Sequence, residues 1–136
     1  MTNDVIIAKI TSIQNCLKRI HDTLKGDVNR IVHLDAQDIV VLNLQRAIEL
    51  TLDIASYVVT KKNLGVPKST KDFFAVLEQN QWISNALSGK MQKMVGFRNI
   101  AVHDYQAINP LILKSVLSHH LKDIEEFYSV IVKKMQ

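Results

Sequence analysis

Arg98, His103 and Tyr105 are the residues of this 136-residue chain best suited to chemistry. They crowd into ten positions, Gly96-Phe97-Arg98-Asn99-Ile100-Ala101-Val102-His103-Asp104-Tyr105, at the end of an otherwise apolar segment. An arginine offers phosphate oxygens a rigid fork of donors. A histidine with an ordinary pKa of ~6.5 takes or gives a proton near neutral pH. The pair therefore suits a phosphodiester. Asn99 and His103 are four apart and stack on one face of a helix, whereas Arg98 and His103 are five apart, about 140° round an ideal helix. Arg98 and His103 meet on one ligand only where the helix ends or bends near His103, or where the long arginine reaches round. The loop before Asn109-Pro110 offers such an end. The same residues also suit a plainer role, as cations near the negative end of a helix dipole.

A second polar group lies upstream. Asn43, Arg46, Glu49 and Asp53 follow one another in steps of three, three and four, so a helix carries them on one face. They form either a solvated face with Arg46–Glu49 and Glu49–Asp53 in helical contact range, or the polar wall of a cleft. Spacing alone leaves both open.

Other chemistries lack their signatures. There is no Gly-rich phosphate loop, no Gly-x-Ser-x-Gly elbow and no His-Glu-x-x-His. The five histidines show no metal spacing: His119 and His120 are adjacent and point about 100° apart on a helix, and His21 and His33 read as surface residues. No metal and no cofactor is expected. The single cysteine, Cys16, excludes an intramolecular disulfide and a multi-cysteine zinc site, and reads as a small residue at the core edge. Seventeen Lys and Arg against thirteen Asp and Glu give a charge of +4, which permits an anionic partner. Without a basic recognition helix, the chain does not read as a DNA-binding bundle.

The elements that must position these residues are helices. Four Gly and two Pro are too few for a turn-dense β fold. Ile6, Ile10, Ile13, Leu17, Ile20 and Leu24 form the apolar stripe of a helix over about 4–25, with Asn3 as N-cap and Gly26 as stop. A second helix runs from about Asp35 to Lys62 with two adjacent stripes, Val40-Leu44-Ala47-Thr51-Ile54-Val58 and Val41-Ile48-Leu52-Ala55-Val59. A helix so apolar sits centrally in a bundle or faces a partner as well as its own core. Gly65 and Pro67 break the chain, and Ser69 and Asp72 have capping-box spacing before a short helix with Phe73, Phe74 and Leu77. Ser84 caps a helix to about Val102. Asn109 and Pro110 open a final helix striped by Leu113, Leu117, Leu121, Ile124, Tyr128 and Ile131. The expected fold is all-α: one domain over residues 1–136, an antiparallel up-and-down bundle of four long helices and a short one. The first residues show no targeting signal and no apolar run spans a bilayer, so the expected setting is cytoplasmic, with no membrane association.

Arg98-Asn-Ile-Ala-Val-His103-Asp-Tyr105 resembles the Arg-x4-His-x-Tyr motif of HepT-type HEPN toxins, the ribonuclease halves of HepT/MntA toxin–antitoxin pairs. The likeness covers nearly the whole chain: Asn43 to Glu49 with Asp53 resembles the family's second helix, Leu64-Gly-Val-Pro67 its mid-chain turn, and Met91 to Tyr105 its motif helix. The resemblance implies a HEPN fold, a homodimer with the two motifs flanking a cleft at its interface, and metal-independent cleavage of RNA. It makes His103 the acid/base residue and Arg98 the phosphate ligand, with Asn99 orienting the site. Tyr105 matches the tyrosine that an MntA-like nucleotidyltransferase antitoxin modifies with AMP. Glu49 and Asp53 are expected to hold Arg98 or His103 in place. The competing expectation is a non-catalytic HEPN module of the same fold that binds nucleotide or serves a nucleotidyltransferase as its accessory subunit.

Overall fold

Two apolar stripes on one helix demand neighbours on both sides, and α2 (Leu34–Lys61) finds them. The computed structural model describes residues 3–136, which are helical with no strand among the described residues. α2 packs against α1 (Asn3–Leu24), α3 (Asp72–Gln79), α4 (Asn85–His103) and α6 (Leu121–Met135). Every residue of its two expected stripes is buried. Its breadth of apolar surface is thus used within the chain. The one buried hydroxyl on these stripes, Thr51, is satisfied by donating to the carbonyl of Ala47 at 2.7 Å.

The helices alternate in direction. Lys9 of α1 meets Asp53 of α2, while Asn15 and Arg19 face Ile39 and Leu42, so α1 and α2 run antiparallel. Arg98 opposite Glu49 and Tyr105 opposite Asp38 set α4 antiparallel to α2. Lys90 opposite Asp123, with Met94 and Phe97 across a cavity from Ile112 and Val116, does the same for α4 and the final helix. The stripe of α1 is buried throughout, and the edge-to-face pair Phe74–Phe127, with ring centroids 5.4 Å apart, joins α3 to α6. The bundle of four long helices and a short one forms as the apolar periodicity requires. No helix is long and apolar enough to cross a membrane among the described residues.

Several ends follow local chemistry. Ser84 accepts from the N–H of Leu87, and Asn109 from that of Leu111. The chain leaves α1 through Lys25 and Gly26, both at positive φ (51° and 80°), where only Gly26 is free of strain. The side chain of Asn3, the expected N-cap of α1, lies outside the described residues. The Ser69–Asp72 capping box does not form: the Asp72 carboxylate takes the N–H of Lys68 instead, at 2.8 Å, and Lys71 precedes the helix without a side-chain cap. Two short 3-10 turns, Val28–Val32 and Tyr105–Ala107, lie in stretches where the sequence shows no periodicity.

The final helix is not uniform. α5 (Pro110–Ser115) passes through a π-turn (Val116–His120) into α6. Leu113, Leu117 and Leu121 are spaced by fours, and the wider turn keeps all three in the core. At its end His120 Nδ1 lies 2.8 Å from the buried Asp123 carboxylate, so His120 is a packing residue engaged with its own helix.

Removing the Phe127 ring leaves a cavity in this core. Phe127→Ala is expected to cost ~3–5 kcal/mol, and Ser84→Ala ~1 kcal/mol through the lost cap. Urea unfolding midpoints at constant slope check both.

Candidate active site

The motif residues occupy the C-terminal end of α4 and the 3-10 turn after it. α4 stays helical through His103, its last residue, and Asp104 closes it by donating its N–H to the carbonyl of Ile100 at 2.8 Å. No bend therefore brings Arg98 and His103 together, and they leave the helix about 140° apart. Arg98 turns inward toward α2. Its side chain is only 18% exposed, and Nη1 lies 3.8 Å from Oε2 of Glu49. Arg98 Nε is buried without a hydrogen-bond partner, and an unpaired buried donor costs about 1–3 kcal/mol. His103 is exposed on the outer side, with Asn99 half-buried one turn before it on the same face.

Glu49 and Asp53, expected to act together, are separated by their partners. Glu49 holds Arg98, whereas Asp53 pairs with Lys9 of α1 at 3.2 Å. The structure does not bring Asp53 to Arg98 or His103, because the first helix presents a cation to it. Asn43 is buried and donates to the carbonyl of Ile39. Arg46 stands over the groove beside Cys16, whose thiol burial pushes up while the arginine draws it down.

Tyr105 is tied to α2 as well. Its hydroxyl donates to Oδ1 of Asp38, 67 residues away in sequence. The phenol is pushed up to about 12 from its ordinary 10.0, first by burial and then by the hydrogen bond to Asp38 and its negative charge; Gln37, also in reach of the hydroxyl, pulls the other way. Asp38 escaped the sequence reading, which began the polar stripe at Asn43. Its signal was present: Asp38 precedes Glu49 by eleven residues, about three turns, so the two stand within about 20° of each other on α2.

Among the described residues, no three His, Cys, Asp or Glu side chains come together in a way that could hold a metal ion. A cavity of about 360 Å³ lies between α4 and α5, lined by Lys90, Phe97, Ile112 and His120 among others. Arg98, His103 and Tyr105 do not line it. What the α4 end can do is bind an anion through Arg98, exchange a proton through His103, and present a phenol hydroxyl at the surface.

A bundle built on α2, with Arg-x4-His-x-Tyr closing the helix packed against it, defines a HEPN-type domain. The chain belongs to the Ribonuclease HepT-like family, whose model matches residues 13–131. It is 47% identical over 130 residues to the mRNA nuclease HepT of Shewanella oneidensis, covering 95% of this chain and 97% of that one. Among solved structures it is similar to a toxin–antitoxin with AMP-PNP, with a TM-score of 0.92 and 45% identity over 96% of this chain and 99% of that one. It is equally similar to the tri-AMPylated Shewanella oneidensis HEPN toxin in complex with MNT antitoxin (TM-score 0.91, 45% identity, 96% and 98% covered). A Bacillus subtilis cytosolic protein of unknown function, YutE, shares the fold at 15% identity and a TM-score of 0.71 over 92% of this chain and 89% of that one.

The Tyr105–Asp38 bond gives a pH signature. A phenol whose pKa is raised on folding adds stability that is complete below pH 10 and is lost as pH rises through about 12. Ultraviolet titration, with Tyr105→Phe as the reference, is expected to show Tyr105 ionising well above the ordinary phenol value of 10.0. Asp38→Ala is expected to bring it down toward its ordinary value, leaving only the part due to burial.

Proposed function

We propose that this protein is an endoribonuclease toxin, cutting RNA without a metal and silenced when a partner nucleotidyltransferase places AMP on Tyr105. The observation that carries the reading is the complete Arg98, His103 and Tyr105 set in a chain 47% identical to an mRNA nuclease. His103 takes the proton from a ribose 2′-hydroxyl or returns one to the leaving oxygen. Arg98 binds the scissile phosphate and stabilises the charge that grows on it. Glu49 holds the guanidinium in place against α2, and Asn99 orients the substrate beside His103. Asp53, engaged with Lys9, is given no part.

The 140° between Arg98 and His103 favours a site completed by a second copy of the chain, in a cleft where two α4 ends meet. A homodimer places one protomer's outward His103 near its partner's motif. The protein then works in the cytoplasm with its RNA substrate and an MNT-type antitoxin, as the similar Shewanella oneidensis toxin is found in complex with one. AMP on Tyr105 adds a bulky negative group two residues from His103, which repels RNA phosphates.

The test is cleavage of mRNA and tRNA with EDTA present, using protein shown by mass spectrometry to carry no AMP. Wild type is expected to cut and to leave 2′,3′-cyclic phosphate ends. His103→Ala should be slower by about 10²–10⁴, and Arg98→Ala by about 10²–10³. Equal inactivity of wild type and His103→Ala across the RNA classes overturns the nuclease reading and leaves the accessory-subunit one.

A further inference from the structure

Tyr105 does not face solvent alone. Its hydroxyl donates to Oδ1 of Asp38, an exposed carboxylate on the second turn of α2. The bond joins two elements far apart in sequence, the 3-10 turn after α4 and the start of the central helix. It points the phenolic hydrogen at a carboxylate oxygen. Gln37 reaches the same hydroxyl and also walls a groove of about 290 Å³ shared with Pro110 and Lys114.

A phenol in this setting is a poor nucleophile by itself. With its pKa pushed up to about 12, only about one molecule in 10⁵ carries a phenolate at pH 7, the difference of five units setting the ratio. Transfer of a nucleotidyl group to the oxygen therefore needs a base that receives the proton as the new bond forms. A carboxylate already hydrogen-bonded to the reacting hydroxyl meets the geometric requirement for such a base.

We infer that Asp38 is the general base for modification of Tyr105, supplied by the toxin itself rather than by the modifying enzyme. The inference rests on the proposed AMP modification of Tyr105. In the step, Tyr105 Oη attacks the α-phosphorus of ATP held by the nucleotidyltransferase. The Oη–P bond forms, the bond from the α-phosphorus to the bridging oxygen breaks, and pyrophosphate leaves. The phenolic proton passes to Asp38 Oδ1 and from there to solvent. The product oxygen has no hydrogen left to donate, so the Tyr105–Asp38 bond ends with the reaction. The AMP phosphate then stands beside the Asp38 carboxylate, and like charges push the 3-10 turn away from α2.

The experiment uses the full chain, its cognate nucleotidyltransferase and ATP labelled at the α-phosphate, with Tyr105→Phe as the unlabelled control. Asp38→Asn keeps a side-chain oxygen able to accept from the phenol but is a far weaker base. Its turnover number for AMP transfer is expected to fall by about 10² or more, with the KM for ATP unchanged, and Asp38→Glu should recover part of the loss. Circular dichroism shows whether each variant keeps the helical fold. A folded Asp38→Asn labelled at the wild-type rate overturns the inference and leaves the modification of Tyr105 standing. A fall seen only in the KM for ATP also overturns it, since a base acts on the transfer step. Wild type left unlabelled at Tyr105 removes the modification reading and the inference together.

Discussion

Arg98 brings a positive charge to a position only 18% exposed, and the architecture around it answers to that charge. A half-buried guanidinium is tolerable only beside an anion. Glu49 supplies one from the neighbouring helix, at 3.8 Å and still 42% exposed, so the pair keeps some contact with water. α4 cannot rotate about its axis without separating the two charges. The ion pair and the burial of Met91, Met94 and Val95 agree on one rotation of α4, which leaves Asn99 half-buried and His103 outward.

The other partner in this arrangement is α2, and its sequence reads accordingly. Thirteen of its residues are buried, including all of both apolar stripes. What remains is a narrow polar edge, and three carboxylates on it each have their own neighbour. Asp38 takes Tyr105, Glu49 takes Arg98, and Asp53 takes Lys9. The edge is therefore neither a solvated face of helical i,i+3 and i,i+4 pairs nor a wall lining one cleft. It is a row of carboxylates that fastens two different helices to the central one.

Much of this was legible in the residues. The apolar spacings of α1 and α2 reach the core as read, because a strong 3.6-residue period leaves a helix one way to bury its face; in the last helix Phe127 is fully buried where the expected stripe named Tyr128, which stays half-buried. Ser84 and Asn109 cap where their side chains predict. The motif at Arg98, His103 and Tyr105 stands out through polar residues crowded at an apolar helix end. Three features were not legible. The π-turn at Val116–His120 leaves the apolar pattern almost unchanged, since leucines spaced by fours suit an α-helix nearly as well. The separation of Glu49 from Asp53 depends on Lys9, which belongs to a helix whose angle no local pattern reports. Asp38 was missed because a pair 67 residues apart is set by tertiary packing, although its helical phase matches that of Glu49.

That shared phase has a mechanical consequence. Eleven residues of α2 at 1.5 Å per residue hold Asp38 and Glu49 about 16 Å apart, and α2 is the most enclosed helix of the bundle, so the spacing is rigid. One end of this ruler grips Arg98 and the other grips Tyr105. Between them, at the last residue of α4, lies His103, whose exposed side chain makes no hydrogen bond or ion pair among the described residues, with the chain on either side of it pinned. Loss of the Tyr105 attachment would free the turn just past His103 while Arg98 stayed fixed by Glu49. Modification of the tyrosine would thus act on the histidine's position as well as on the charge beside it, and the reach of that effect is set by the six residues between the anchored Arg98 of α4 and Tyr105 in the turn after it.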